Sequence, residues 1–284
     1  MILVQLKGGL GNQMFQYAAG RSLALKYRVP LLLDPASYEP RQAGMYALNG
    51  LNITAAVAGP EDLAAFRPGT IGKVLNRVLP VQFRRVYKEP HYEFDPYFFR
   101  ASPPVYLRGY WQSWRYFEPV QDTILKDFTF AIPFSQQVLN KAAELQATES
   151  IAMHFRRGDY TDAATAAYHG ICEPAYYDAA AAYMLTHHPQ AKFYIFTNDP
   201  AWVKDNLPAG IAYEIVSGEL SHTQYEDLFL MSHCRHQIIA NSSFSWWAAW
   251  LNRYKEKRVV APAKWFAVDT LSAKDLIPAS WHSI

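Results

Sequence analysis

Short apolar runs alternate along this chain with stretches of helical periodicity, and that alternation constrains the fold most: strands joined by crossover helices build a parallel sheet. The runs Met1–Leu6, Val29–Asp34 and Val105–Tyr110 predict strands in the N-terminal half, with a helix over about Asn12–Tyr27. In the C-terminal half the expected strands are Ser150–Arg156, Lys192–Thr197, Ile211–Val216, Gln237–Ala240 and Arg258–Ala261. Helices are expected over Phe134–Thr148, Pro174–His187, Thr223–Cys234 and Phe244–Tyr254. Residues 35–104, rich in Pro, Gly and aromatic side chains, break the pattern. A single core stops growing at roughly 250 residues, and the chain has 284. The expectation is therefore an α/β protein of two units, residues 1–133 and 134–284, with the seam at Ile132-Pro133. Ligands of such sheets lie beyond the carboxyl ends of the strands, so motifs that follow strands carry the functional argument.

Charge and cysteine content exclude several classes. Lys plus Arg number 27 and Asp plus Glu 25, a net charge of +2 that fits neither a nucleic-acid-coating protein nor an acidic tail. No nucleic acid partner is expected. Met1 leads directly into an apolar strand pattern without a basic leader, and no apolar run nears the roughly 18 residues of a membrane span. Two cysteines, Cys172 and Cys234, are too few for a disulfide framework and lack zinc-ligand spacing. A cytoplasmic protein is the expectation. The stretch Lys73–Lys88 carries five basic residues and no acid, interleaved with Val74, Leu75, Val78, Leu79 and Phe83. It reads either as a peripheral contact with an anionic membrane face or as a helix with an ordinary solvated side, and the second reading carries more weight.

Four constellations follow predicted strands. In His154-Phe155-Arg156-Arg157-Gly158-Asp159-Tyr160, alternation puts His154 and Arg156 on one face and Phe155 and Arg157 on the other. Arginines after an apolar run ask for an anionic partner, and a guanidinium fork matches phosphate oxygens. Arg156 is the candidate clamp for a diphosphate, while Arg157 and Asp159 also suit a structural ion pair. In Asn241-Ser242-Ser243-Phe244-Ser245-Trp246-Trp247 a serine cap opens a helix, whose N-terminus attracts phosphate. Trp246 and Trp250, four apart, read as packing between domains. Asn198 and Asp199 end a strand, where a carboxylate can accept the N–H donors of guanine, although an Asp before a helix more often caps it. Gly8-Gly9-Leu10-Gly11-Asn12-Gln13-Met14 suggests a dinucleotide fingerprint, yet Met14 stands where the third glycine belongs. Gly9, Gly11 and Asn12 instead suit a backbone-lined approach to phosphate or sugar. No Asp-x-Asp triplet, Gly-x-Ser-x-Gly elbow or Gly-x-x-x-x-Gly-Lys loop occurs, so metal-bridged sugar-nucleotide chemistry, serine hydrolysis and P-loop chemistry find no support.

Together, Gly8 through Phe15, His154 through Tyr160 and the run from Asp227 to Trp247 resemble the alpha-1,2-fucosyltransferases of glycosyltransferase family 11. The resemblance spans nearly the whole chain except residues 35–104. It implies a GT-B-like fold, two Rossmann-type domains facing a central cleft, the C-terminal one binding GDP-fucose and the N-terminal one facing the acceptor. It further implies inverting, metal-independent transfer of L-fucose to the 2-hydroxyl of a galactose-terminated oligosaccharide or lipid-linked glycan, in bacterial surface polysaccharide synthesis. By the same resemblance Arg156, the first arginine of its motif, meets the donor phosphates, Asp199 reads guanine, and Ser242, Ser243 and Phe244 line the diphosphate and sugar; His154, Arg157 and Asn198 complete the expected donor-binding set, Arg157 also in a partly structural role. No cofactor beyond the donor substrate is implied. The proton acceptor is sought among Asp159, Asp162, His169 and Glu173, with Asp159 and His169 placed first beside Arg156 in the catalytic set. The position of a loop glutamate used by related transferases falls here near Ala164. Rival readings are another GDP-sugar-dependent glycosyltransferase and a non-catalytic glycan-binding protein, the latter suggested by 8 Trp, 19 Tyr and 16 Phe.

Overall fold

The computed structural model describes residues 1–36, 38, 45–66, 72, 74, 76, 78–157, 170–268 and 271–284. The chain divides into two units, Met1–Ile132 with Lys274–Leu276, and Pro133–Ala273 with Ile277–Ile284. Each is a Rossmann-type α/β layer structure, so the fold is α/β and GT-B-like, and the named strands of both sheets pair in parallel.

The first unit holds β1 (Ile2–Gln5), β2 (Leu31–Asp34), β3 (Ala56–Val57), β4 (Val86–Lys88) and β5 (Val105–Arg108), in the spatial order β3-β2-β1-β5-β4. Helix α1 (Leu10–Tyr27) crosses from β1 to β2, which pair with Ile2 opposite Leu31. Its close seat on the sheet depends on Gly20, where a Cβ would fall 2.3 Å from Val4 Cγ2. Met14, at the place of the missing fingerprint glycine, is instead buried in the core. The unit also holds the shorter helices α2 (Pro60–Ala64) and α3 (Gln121–Asp127). The aromatics that made residues 35–104 look irregular are core material: Tyr87, Phe98, Trp111 and Tyr116 are buried and in mutual ring contact.

The second unit contains β6 (Ser150–Phe155), β7 (Lys192–Thr197), β8 (Tyr213–Ile215), β9 (His236–Ile238), β10 (Val259–Ala261) and β11 (His282–Ser283), in the order β11-β10-β9-β6-β7-β8. Counted from β6, this is 3-2-1-4-5-6, the order of dinucleotide-binding Rossmann sheets, with its switch between β6 and β9. Its helices are α4 (Gln136–Ala147), α5 (Pro174–His187), α6 (Pro200–Asp205), α7 (Gln224–His233) and α8 (Ser243–Leu251). Every residue of β6 is buried, as a central strand covered on both faces requires.

One expectation is corrected here. The stretch Lys73–Lys88 is not one amphipathic helix: Val81–Phe83 form a 3-10 turn and Val86–Lys88 are strand β4, paired with Tyr106–Arg108. The Arg84 Nε donates to the Leu79 carbonyl, and an Arg85 guanidinium nitrogen donates to that of Ala65. Val-Tyr-Lys suits a pleated edge strand better than a solvated helix. Lys73, Leu75 and Arg77 lie outside the described residues. Trp246 and Trp250 stack at 6.4 Å, and Trp246 also meets the Trp247 and Trp281 rings within the second unit. Among the described residues no helix is long and apolar enough to cross a membrane.

Candidate active site

The carboxyl ends of β6 and β9 flank the switch of the second sheet, and the motif residues emerge there. His154 and Phe155 end β6 and face opposite ways. Phe155 stacks on Tyr177 at 3.9 Å, and the Arg157 guanidinium lies 3.9 Å over the Trp202 ring, so both meet the α5–α6 side. His154 turns to the other side and meets the Phe244 ring at 5.8 Å. Burial, aided by the Arg156 charge, holds His154 down to about 3, so its imidazole is neutral. Its Nδ1 is buried and has no hydrogen-bond partner within the protein, an orphan that a buried polar atom tolerates only where a ligand or water completes it. The strand is braced from behind by the Tyr177 hydroxyl, which donates to the His154 carbonyl.

After β9, Ser242 caps α8: its Oγ accepts from the Phe244 N–H at 3.3 Å. Ser243 and Phe244, partly exposed, form the first turn, where the helix dipole is positive. Asn241 is a brace: its amide donates to the carbonyls of Gly170 and Trp265. A cavity of about 510 Å³ opens at this edge, lined by Cys172, Glu173, Tyr176, Asn241, Lys264 and Phe266 among others.

The third motif follows β7. Asp199 caps α6, accepting from the Trp202 N–H at 3.1 Å, and its other oxygen lies 3.8 Å from the Arg157 Nε. Asn198 Oδ1 accepts from the Arg157 N–H. The ion pair of Arg157 is thus with Asp199 in the structure, whereas its sequence-predicted partner Asp159 lies outside the described residues, as do Gly158, Asp162 and His169. Glu173 is described and precedes α5. A network that sequence reasoning missed supports this loop. Ser217, after β8, accepts from the Thr197 N–H and donates to Asp227, which also takes the Ser221 hydroxyl. The one available signal was Asp227 in the first turn of a helix with a Thr223–Glu226 capping box.

Gly9, Gly11 and Asn12 belong to the first unit, not to the unit that carries the other motifs. Gly9 is the N-cap of α1 with ordinary φ, and Gly11 is buried in its first turn. Positive φ falls on Gly8 (+78°), where a Cβ would sit 2.4 Å from Asn12 Nδ2. The Gln112 amide donates to Asn12 Oδ1 at 2.7 Å. Gln13 and Gln16 are buried braces: Gln13 Nε2 donates to the Gly8 carbonyl, and Gln16 exchanges two hydrogen bonds with the Lys7 backbone.

Among the described residues one group has metal-ligand composition, Glu149, His188 and His236. It lies at the opposite, amino-terminal edge of the sheet, where β6 and β9 begin. His236 Nδ1 accepts from the Arg258 N–H, so Nε2 carries the proton, and Arg235 already pairs with Glu149. That donor set does not fit a cation.

The family model for glycosyl transferase family 11 matches residues 79–284. An alpha-1,2-colitosyltransferase of Escherichia coli is 31% identical over 100% of this chain and 99% of its own length. The O-antigen biosynthesis glycosyltransferase WbnK of Escherichia coli is 30% identical over 98% of this chain and 99% of its own. The galactoside 2-alpha-L-fucosyltransferase SEC1 of Bos taurus is 25% identical over 87% of this chain and 63% of its own. In fold, the chain is similar to a mutant of Arabidopsis thaliana FUT1 in complex with GDP, with a TM-score of 0.52, 13% identity, and coverage of 99% of this chain and 75% of that one.

Proposed function

Because the chain belongs to glycosyltransferase family 11, we propose that it transfers L-fucose, with inversion and without a metal, from GDP-fucose to the 2-hydroxyl of a galactose-terminated glycan. The observation that carries this is the β6–β9 switch, where Arg156, the unpartnered Nδ1 of neutral His154 and the N-terminus of α8 come from one edge of one Rossmann sheet. A diphosphate needs just such a set: a permanent cation, fixed N–H donors and little competing water. Arg156 and the first turn of α8 stabilise charge growing on the β-phosphate as the sugar–phosphate bond breaks. His154, being neutral, orients rather than neutralises. Asp199 keeps outward lone pairs for guanine while capping α6. On this reading the second unit carries the donor site.

The linkage rests on the names of two relatives, an alpha-1,2-colitosyltransferase matched over 99% of its length and a galactoside 2-alpha-L-fucosyltransferase matched over 63% of its own; a role in bacterial surface polysaccharide synthesis rests on the O-antigen relative. The 31% relative favours a second reading, GDP-colitose as donor. Colitose is L-fucose without its 3-hydroxyl, so a site built to hydrogen-bond that hydroxyl discriminates strongly, whereas an apolar site does not. Purified protein incubated with each donor and galactose-terminated acceptors, with and without EDTA, is expected to release GDP and form a 1,2-linkage unaffected by chelation. Preference for GDP-colitose would replace the donor; loss with EDTA would overturn metal independence; no transfer from either would overturn the reading. Lipid-linked acceptors and peripheral membrane contact fit the exposed Val78 and Phe83 beside Arg84, Arg85 and Lys88. Cosedimentation with anionic but not zwitterionic vesicles is the expected result, and equal recovery would exclude it.

A further inference from the structure

The carboxyl edge of the first sheet gathers aromatic and polar side chains that the donor site does not use. In the order β3-β2-β1-β5-β4 the chain runs outward from β1 through β2 and β3, then returns on the other side and closes on β1 with β5. β1 and β5 therefore flank this sheet's own reversal, and a parallel sheet leaves a ligand crevice beyond the carboxyl ends of such a pair. Lys7 follows β1, and Tyr110 and Gln112 follow β5. The Gln112 amide donates to Asn12 Oδ1 at 2.7 Å and ties the two loops together across the reversal. Lys7, Tyr92, Tyr110 and Gln112 are all partly exposed, so they form surface rather than core.

The loop after β5 is held in one shape. The two oxygens of Glu89 accept from its backbone, Tyr110 N–H at 2.6 Å and Trp111 N–H at 2.8 Å. A Cβ on Gly109 would fall 2.4 Å from Glu89 Cβ, so glycine is what lets the carboxylate approach. Trp111, buried, takes φ +56°, a left-handed conformation rare for so large a residue. The base of the Tyr110 side chain is fixed by these constraints. Tyr92 lies nearly parallel to Tyr110, with 17° between planes and 6.1 Å between centroids. At that spacing the rings are offset rather than superposed, and the pair makes a stepped apolar platform. Lys7 Nζ stands 4.2 Å from the Tyr110 centroid and brings N–H donors to its border, while Gln112 Oε1 is left to accept. An aromatic platform bordered by a few fixed polar groups suits a neutral sugar ring, with C–H bonds of one face on the rings and hydroxyls at the border.

We propose, on the footing of the glycosyl-transfer reading above, that this crevice of the first unit binds the terminal galactose of the acceptor glycan, with Tyr110 as its platform. Galactose fits better than glucose, because its axial 4-hydroxyl gathers the neighbouring C–H bonds on the opposite face of the ring. Every residue invoked belongs to the first unit.

Saturation-transfer NMR on the full chain tests this, with methyl β-galactoside and methyl β-glucoside as probes and GDP affinity measured alongside. The galactoside is expected to bind more tightly than the glucoside and to receive most saturation on its apolar face. Tyr110→Phe is expected to keep that binding, and Tyr110→Ala to weaken it by roughly tenfold with GDP affinity unchanged. Lys7→Met leaves the loop after β5 untouched and is expected to weaken it as well, which keeps the proposal testable if Tyr110→Ala does not fold. A wild-type protein that binds no galactoside, or binds the glucoside as tightly, overturns the proposal. So does a Tyr110→Ala or Lys7→Met protein with wild-type galactoside affinity. A wild-type protein that binds galactoside through Tyr110 but transfers no sugar would instead overturn the underlying reading.

Discussion

Arg156 and Arg157 are adjacent, yet their surroundings separate their duties. Arg157 is committed to the Trp202 ring and the Asp199 carboxylate, and its backbone N–H to Asn198. The Arg156 charge bears on His154, whose Nδ1 has no hydrogen-bond partner within the protein, and on the proposed reading this pair meets the diphosphate. Arg156→Ala is therefore expected to cut transfer by at least about 10²-fold, the order of one preorganised charge-stabilising group, with an unchanged circular dichroism spectrum. Near-normal turnover would remove Arg156 from the diphosphate. Residue types at this site were legible, because alternation along β6 separates His154 from Phe155 without any structure. Which glycine bears the strain was not: Gly8, Gly9 and Gly11 are alike as letters, and only the backbone shows that Gly8 has positive φ while Gly9 faces open space.

Elements follow the same division. The long ones were readable from periodicity: Lys192–Thr197 and Pro174–His187 are strand and helix with the predicted bounds. The elements that escaped are β3, β4, β11, α2, α3 and α6, two to seven residues each. A two-residue strand holds one repeat of its own period, and it exists because a neighbouring strand offers a ladder. For the proposed donor site the decisive element is α8, whose first turn Ser242 caps from within the unit. Ser242→Ala removes that cap and is expected to lower stability by about 1 kcal/mol, read as a lower melting temperature. It should also weaken GDP binding, since the first-turn N–H groups lose their fixed direction. A drop in melting temperature with unchanged GDP affinity would show that the helix start serves folding alone.

At the scale of the whole molecule, alternating strands and helices already announced parallel α/β units, but strand order is invisible to periodicity. Nothing in the sequence shows that β9 lies beside β6 rather than β8, and it is this reversal that gathers motifs more than eighty residues apart onto one edge. The same sheet carries a pH liability at its other edge. His236 is buried, its Nδ1 accepts from the Arg258 N–H at 3.0 Å, and its ring meets that of His188, tilted, at 3.8 Å. Burial, with His188 as the next cause, lowers His236 to about 4, whereas the unfolded chain titrates it near 6.5. Between those values the unfolded state binds more protons, so stability falls as pH drops from about 6.5 towards 4, by an order of 2–3 kcal/mol for this group. His154, lowered to about 3, adds to the same loss over a wider window. Six of the eight tryptophans, at 202, 246, 247, 250, 265 and 281, belong to the second unit, so tryptophan fluorescence during thermal unfolding reports chiefly on it. His236→Asn keeps an acceptor for the Arg258 N–H and removes the titration. Its melting temperature is expected to decline less than that of wild type between pH 6.5 and 4.5, and parallel declines would show that the imidazole is not what acid attacks.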